Sequence, residues 1–429
     1  MNTKSTYKKA YPNLFKPIRI RGQLIKNRLK SSPHSGGPNL YIAGDDGYSN
    51  FTETAAQYFG AIAKGGAGIV STGHLGVDPR YYLGANCEHF NFFSKKTIHE
   101  HVLPVMHQMT DLIHSYGAKA SIELNHGGTR TTPVEGNQVL GPCAKTLSDG
   151  KEVIAMDEAE MNKVADYFAN AALIGKRGGF DIVNIHAAHG WLLSDFFSPI
   201  TNKRTDEYGG SVENRARFPM MVFRKIREAV GEEMIIEFRF SVNEISEGGI
   251  TLEDAITTIN MLSEYADIVQ CSAGKVTKPI TIGFMMPLQY MDHGLNAYLA
   301  ELIKNKVNIP VEVIGGINDP EMADKLICEG KTDFVGMARS FIADPNWGEK
   351  ARRGKEDDIV PCIRCLRCLN YAENQTGTSM CTVNPRRILP HPLTDSKTNF
   401  EMKKVVVIGG GPAGMQAAFE IARKGHEVV

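Results

Sequence analysis

The chain has 429 residues, of which 42% are apolar and 22% are charged, and its formal net charge is +0. This composition is ordinary for a globular protein and indicates neither a nucleic-acid partner nor an anionic membrane surface. Residues 1–11 are polar and lysine-rich, and no apolar run approaches the ~18 residues of a membrane span. The sequence therefore predicts a cytoplasmic protein without a signal peptide or membrane segment, and it leaves homo-oligomerisation open.

From residue 13 to about residue 346, short β-rich runs alternate with longer amphipathic segments. Eight such units predict an α/β fold of the (β/α)8 TIM-barrel type. A doubly wound open sheet is the alternative, but the dinucleotide-type glycine loop lies at the other end of the chain. The predicted strands are 28–32, 68–72, 119–125, 182–186, 234–240, 268–272, 311–314 and 334–336, and predicted helices cover 55–64, 102–116, 158–177, 214–230, 252–265 and 321–329.

Polar residues and glycines cluster at the carboxyl ends of these strands, where a barrel places its chemistry. The fourth strand ends in a histidine pair followed by a tryptophan. Glycines and an arginine at the ends of strands seven and eight are typical of a phosphate site, because glycine lets backbone N–H groups approach an anion. In strand order, the candidate site residues are Ser32, Pro33, His34, Ser35, Glu123, His186, His189, Trp191, Arg239, Gly316, Ala338 and Arg339.

Four of the eight cysteines follow the predicted barrel in the spacing C-x2-C-x2-C-x12-C. Three thiolates on one tight loop and a fourth a short distance on are typical of iron–sulfur ligation. Structural zinc is the rival, although it usually uses two separated ligand pairs, and a disulfide framework does not suit a long chain with its other cysteines scattered. The sequence therefore predicts a 4Fe–4S cluster on Cys362, Cys365, Cys368 and Cys381.

The pattern of the last segment predicts a strand (403–408), a glycine loop and a helix (415–424). This order is the context in which a GxGxxG pattern indicates a Rossmann-like dinucleotide-binding domain, with Gly409, Gly411 and Gly414 at the phosphates. The acidic residue that would bind ribose is not reached, so we expect an incomplete FAD site at the front of a longer chain. The predicted divisions are a barrel (1–350), a cluster segment (351–384), a linker (385–402) and this domain start (403–429).

Together these features resemble the iron–sulfur flavoenzyme branch of the old yellow enzyme superfamily. That branch includes 2,4-dienoyl-CoA reductase, 2-enoate reductase and trimethylamine dehydrogenase. The block from His186 to Arg215 is the most specific match, and residues 14–17, 26–28 and 343–347 also fit. The resemblance covers almost the whole chain and implies FMN in the barrel, the 4Fe–4S cluster, FAD, and NAD(P)H as electron donor.

The resemblance also implies roles for individual residues around FMN. Residues 32–35 would contact the isoalloxazine, with Ser35 near its reactive edge. Glu123 matches a position, often Gln in relatives, that bonds the pyrimidine edge, and Arg239 would place positive charge near N1. The phosphate would be held by Gly316, Ala338 and Arg339.

By the same resemblance, His186 and His189 would bind a substrate oxygen. Without the surrounding motif, such a pair would be interpreted as ordinary core histidines. Trp191 stands where many relatives have a proton-donating tyrosine, and an indole N–H is no acid near neutral pH.

The predicted function is NAD(P)H-dependent reduction of an activated C=C bond in a small molecule. The alternatives are an amine dehydrogenase, in which His74 and Ala372 would occupy positions of an aromatic bowl, and an electron-transfer subunit.

Overall fold

The computed structural model describes residues 10–34, 41–43, 49–83, 102–134, 136–276, 279–369, 380–387 and 401–429. Ser35 and Ala372, both singled out from the sequence, lie outside these residues. The chain divides into two compact units, residues 1–391 and residues 392–429, and each is described by itself. The finer domain divisions expected from the sequence stay predictions.

Eight parallel strands close into a barrel in the first unit, which confirms the predicted fold class. All eight predicted strands are present, and those that differ in length do so by a few residues at their ends. The second strand, for example, runs four residues beyond its predicted end and thereby includes His74. The strands are Leu29–Ser31, Ile69–Gly76, Lys119–Asn125, Ile182–Ala187, Ile235–Asn243, Ile268–Ala273, Val311–Ile314 and Phe334–Met337.

Helices follow the strands, and several begin at a capping side chain. Asp157 and Ser211, for example, each accept a hydrogen bond from the main-chain N–H three residues on, which satisfies a group left free at the first turn. The sequence did not predict the short helices at 192–197, 279–285, 297–304, 339–343 and 347–352. The principal helices are Glu53–Lys64, Leu103–Ser115, Glu158–Arg177, Val212–Val230, Leu252–Leu262 and Pro320–Cys328.

The amino-terminal end of the barrel is closed by apolar side chains. A hairpin of Ile18–Ile20 and Gln23–Ile25 packs its isoleucines against the first residues of the strands. Removing these side chains from water stabilises this end and excludes solvent from the barrel interior. The cluster consists of Ile20, Ile25, Ile69, Ile182, Ile235, Ile268 and Phe334.

Further short strands lie in the loops beyond the barrel. Tyr41–Ala43 pairs with Ser49–Phe51, and Tyr81–Leu83 pairs with Thr131–Pro133. A three-stranded sheet of Val139–Gly141, Lys145–Thr146 and Glu152–Ala155 follows the third barrel strand.

The middle of the barrel holds a buried polar network. Lys30 donates to Glu237 and, over 2.9 Å, to Glu312, whose other oxygen accepts from Gln270 at 2.7 Å. Gln270 in turn accepts a hydrogen bond from Nε of Arg239. Buried charges are tolerated when they are paired and hydrogen-bonded, and here the pairing continues up to the carboxyl ends of the strands.

The second unit is a strand–loop–helix–strand arrangement. Lys404–Val405 pairs in parallel with Glu427–Val428, and the helix Pro412–Arg423 connects them. The first strand is shorter than predicted because its pairing is confined to these two residues, and the helix begins earlier because Pro412 suits a first helical turn. A side chain on Gly414 would overlap the main-chain oxygen of Gly409, so the helix packs closely on the loop.

Among the described residues, no helix combines the length and the hydropathy that crossing a bilayer would require.

Candidate active site and cluster loop

A cavity of about 340 Å³ opens at the carboxyl ends of the barrel strands. This volume lies within the range of small-molecule and cofactor sites, and the location is the one that barrels use for catalysis. The structure brings together most of the site residues predicted from the sequence. Those that line the cavity are Ser32, Pro33, His34, His186, His189, Trp191, Arg239, Gly316, Ala338 and Arg339.

Glu123 is not part of the cavity surface and lies behind Arg239. Its Oε1 is 3.3 Å from Nη2 of Arg239 and accepts no hydrogen bond. Burial raises the pKa of Glu123 to about 7, against the opposing charges of Arg239 and Lys30. The floor of the cavity is therefore a guanidinium that lies against one deeply buried carboxyl group, whose ionisation is shifted towards neutral pH.

Three histidine rings and one indole ring form a cluster in the cavity wall. The ring centroids of His186 and His189 are 5.1 Å apart, and the planes are almost perpendicular. His74 lies 6.1 Å from His186 and 5.4 Å from Trp191. The rings therefore converge on one part of the cavity from two barrel strands and the loop after the fourth strand.

Hydrogen bonds orient both predicted catalytic histidines. Nδ1 of His186 accepts from the main-chain N–H of Ala188 at 3.4 Å, which leaves the proton on Nε2. Nε2 of His189 is 2.7 Å from the Ser272 hydroxyl. His189 also has φ of 64°, a left-handed conformation that is uncommon for residues other than glycine and that clusters at functional sites.

All three histidines are neutral near pH 7. Burial, followed by the charge of Arg239, lowers the pKa of His74 to about 4 and holds the pKa values of His186 and His189 well below the ordinary histidine range. A neutral imidazole carries one N–H donor. The rings can therefore donate hydrogen bonds to an oxygen without bringing a charge of their own.

The opposite end of the cavity has the features of a phosphate site. Gly315 and Gly316 line this end and have φ values of 132° and 72°, which glycine adopts readily and other residues rarely do. Arg339 begins the helix Arg339–Ala343 and donates to the main-chain oxygen of Pro287 at 2.9 Å. Because that partner is neutral, the positive charge of Arg339 is available to an anion.

These features fit FMN. At Gly336, which lines the cavity, a Cβ would overlap the side chains of Ser32 and Glu312. Only glycine therefore fits at this position of the last strand. Ser32, Pro33, His34 and Arg239 would hold the isoalloxazine, and the phosphate would lie at Gly316, Ala338 and Arg339. These assignments stay predictions.

The four predicted cluster ligands surround one smaller cavity next to the first. Cys362, Cys365, Cys368 and Cys381 all line it, and Cys362 and Cys368 also line the larger cavity. In the described residues, no three His, Cys, Asp or Glu side chains converge as a single metal ion requires. Four thiolates around one space are the arrangement that the separate corners of a 4Fe–4S cluster require.

The backbone of the cysteine loop turns its sulfurs to one side. Arg364 and Leu366 have φ values of 55° and 58°, which are strained conformations for side chains of this size. The N–H of Arg364 donates to Sγ of Cys362 at 3.4 Å. Burial works against the thiolate of Cys365, but hydrogen bonds from Thr382 and from main-chain N–H groups hold its pKa below the usual range. Such contacts favour the thiolates that ligate iron.

Sequence reasoning missed several residues of the cavity wall. His74 was noted only as an amine-dehydrogenase position, although its place past a β-rich run was a usable signal. Arg364 comes from the cysteine segment and Arg387 from the predicted linker, and Met285 and Met286 lie at the end of an unpredicted helix. Nothing in local periodicity indicates that these segments reach the barrel mouth.

The chain thus has the barrel and cavity of a flavin oxidoreductase with an adjoining cysteine cage. Residues 13–358 match the NADH:flavin oxidoreductase / NADH oxidase family, and the chain belongs to that family. Residues 404–429 match the FAD binding domain. These matches, together with the relatives described next, confirm the predicted resemblance and the predicted FMN, 4Fe–4S and FAD cofactors.

Two curated proteins and one solved structure illustrate the similarity. NADH oxidase of Thermoanaerobacter brockii is 38% identical over 426 residues, covering 98% of this chain and 63% of the relative. Cinnamate reductase of Clostridium sporogenes is 30% identical over 447 residues, covering 98% and 64%. Histamine dehydrogenase from Rhizobium sp. 4-9 superimposes with a TM-score of 0.84 at 28% identity, covering 97% and 59%. The chain therefore spans about three fifths of the length of these relatives.

Proposed function

We propose that this chain catalyses the NAD(P)H-dependent reduction of a C=C bond conjugated to a carbonyl or carboxylate group in a small molecule. When bound, FMN supplies a hydride to an electron-poor carbon, and NAD(P)H provides the two electrons. The observation that carries the proposal is the pair of neutral, oriented rings of His186 and His189 in the wall of a cavity whose floor is Arg239. Similarity to a cinnamate reductase supports the same class of reaction.

The histidine pair would act on the substrate oxygen. As the double bond is reduced, negative charge develops on the conjugated oxygen, and N–H donors fixed beforehand stabilise that charge without reorganisation. Nε2–H of His186 and the ring of His189, held by Ser272, are such donors. Binding and polarisation of the acceptor are thus carried by side chains that keep one protonation state through the neutral range.

Trp191 would pack on the substrate and is not the proton donor. Its ring packs against that of His186, with the centroids 5.9 Å apart, and both rings line the cavity, so a flat conjugated substrate in the cavity would lie along the indole. No tyrosine lines the described part of the cavity. We therefore assign the proton that completes the reduction to water entering through the open mouth.

The test uses the anaerobically purified, flavin-loaded protein with NADH and a panel of enoates, enones and enoyl thioesters. Double substitution His186→Ala and His189→Ala is expected to lower kcat by about 10²–10³-fold, as the loss of oxyanion donors does elsewhere. A pure electron-transfer subunit would keep its NADH-dependent electron flux in this variant. No consumption of any substrate by the unsubstituted protein would refute the proposal.

Oxidation of an amine is the second candidate. The structural similarity to histamine dehydrogenase favours it, and the aromatic ring of Trp191 could bind a cation through its face. Against it, the described lining of the cavity contains arginines and no Asp or Glu, which disfavours a cationic substrate. Bleaching of the flavin by a panel of amines, without consumption of enoates, would favour this candidate.

We place the protein in the cytoplasm, where thiolate ligands of a cluster stay reduced.

A further inference from the structure

Arg364 belongs to the cysteine loop and also lines the active-site cavity. Its main-chain N–H donates to Sγ of Cys362 at 3.4 Å. Its guanidinium, by contrast, donates to the main-chain oxygens of Gln289 and Asp292 at 3.0 and 3.1 Å. The backbone of this residue therefore serves a predicted cluster ligand, while its side chain is fixed to the barrel.

The backbone of Arg364 has a conformation that favours glycine. Its φ of 55° lies in the left-handed region, which is uncommon for a residue with a long side chain. Glycine would adopt this conformation without strain but would bring no charge. Because strained residues of this kind cluster at ligand sites, the arginine at this position indicates a use for its guanidinium.

The guanidinium of Arg364 lies beside the predicted phosphate site of the cavity. Its Nη1 is 3.4 Å from the point that a Cβ on Gly316 would occupy. Cβ of Pro287 is 3.3 Å from the same point, and the main-chain oxygen of Pro287 is the acceptor of Arg339. One short segment, residues 287–292, thus holds both guanidiniums near Gly316.

The hydrogen bonds of Arg364 orient its charge without neutralising it. Both acceptors are main-chain oxygens, which carry no net charge, and the acceptor of Arg339 is of the same kind. A guanidinium has more N–H donors than these two bonds use, and its planar fork matches the oxygens of a phosphate group. Two permanent positive charges at one end of the cavity favour an anionic group there over a neutral one.

We propose that Arg364 binds the phosphate group of FMN together with Arg339, so that the cysteine loop forms part of the flavin site. Arg364 donates to the phosphate from the cysteine loop, and Arg339 donates from the end of the last barrel strand. Bound FMN thereby ties the cysteine loop to the barrel. The inference concerns flavin binding and is independent of the substrate that is reduced.

The experiment compares the binding of FMN with that of riboflavin, which is the same flavin without the phosphate. The anaerobically purified chain is freed of its flavin and titrated with each compound, and the quenching of flavin fluorescence gives the two Kd values. Arg364→Met removes the charge and keeps the apolar stem. It is expected to raise Kd for FMN by about 10–100-fold, the range for loss of a charged hydrogen bond, and Kd for riboflavin by less than about threefold.

Two further substitutions separate the charge of Arg364 from its backbone. Arg364→Gly relieves the left-handed conformation and removes the charge, so it should lose the preference for FMN as Arg364→Met does. Arg364→Lys keeps the charge without the planar fork, and its Kd for FMN should lie between those of Arg364→Met and the unsubstituted protein. Weakening of FMN and riboflavin binding to the same extent would mean that Arg364 supports the fold rather than the phosphate, and would overturn the inference.

Arg367→Met is the matched control, because Arg367 is an exposed arginine of the same loop and is not among the residues that line the cavity. It should leave the ratio of the two Kd values unchanged. An equal rise of the ratio in Arg367→Met and Arg364→Met would attribute the effect to net charge and refute a specific contact. The iron content of each variant shows whether its cysteine loop still holds the cluster.

Arg339→Met tests the predicted phosphate site separately and should also raise the ratio of the Kd for FMN to the Kd for riboflavin. A raised ratio in Arg339→Met with an unchanged ratio in Arg364→Met would refute the role of Arg364 and leave the predicted phosphate site in place. An unchanged ratio in both variants would refute the site and the inference together.

Discussion

At the scale of single residues, burial sets the charge states of the site. His186 and His189 are kept neutral by their surroundings, and His189 is held in an uncommon backbone conformation. Glu123 shows the opposite effect, since desolvation favours its protonated form in spite of the neighbouring Arg239. Each of these states follows from which groups the barrel brings within a few ångströms, and no residue type implies it alone.

The raised pKa of Glu123 makes the stability of the protein depend on pH. Its pKa rises from 4.5 to about 7 on folding, so between these values the folded state binds more protons than the unfolded state. The contribution of Glu123 to stability is therefore greatest below about pH 4.5 and falls as pH rises towards 7. We expect the free energy of unfolding to fall by about 1–3 kcal/mol more between pH 5 and pH 8 in the unsubstituted protein than in Glu123→Gln.

Urea denaturation of both proteins at the two pH values measures this difference. Comparing the pH dependence of the free energy of unfolding cancels the titrations that both proteins share. A pH-independent cost of leaving Arg239 without its carboxylate cancels in the same way. Parallel pH profiles would contradict the proposed charge state of Glu123.

At the scale of elements, close packing decides which loops can bind a cofactor. The helix Pro412–Arg423 approaches its glycine loop so closely that a Cβ on Gly414 would overlap the oxygen of Gly409. Gly410 has no atom within 4 Å of the corresponding position. The two glycines therefore differ in packing although both belong to one run of the sequence.

Gly414→Ala is expected to displace the loop and reduce the FAD bound per chain, whereas Gly410→Ala should retain it. FMN should stay unchanged in both variants, because its predicted site is in the barrel. Extraction and chromatography of the two flavins give the ratio directly. Equal FAD content in the two variants would mean that helix–loop packing does not control the site.

At the scale of the whole molecule, the cysteine loop and the barrel share a wall. Cys362 and Cys368 line both the large cavity and the cysteine cavity, as do Arg339 and Ile342. A cluster held by this loop would therefore adjoin the predicted flavin site.

Cys365→Ala is expected to lose bound iron and acid-labile sulfide while it retains FMN. Substrate reduction driven by NADH should then fall to background, and reduction driven by dithionite, which reaches the barrel flavin directly, should persist. Cys328→Ala is the control, since Cys328 is exposed and lies outside the loop. Full NADH-driven turnover in iron-free Cys365→Ala would contradict this arrangement.

Local sequence patterns determined the eight strands, the cysteine spacing, the glycine loop and most of the cavity residues. These features depend on periodicity and on short spacings, which one stretch of chain carries by itself. Only the tertiary structure showed that His74 faces His186, that Glu123 lies behind Arg239, and that Arg130 stacks on Trp191. Such relations join residues about 50 to 120 positions apart in sequence, and closure of the barrel alone brings them together.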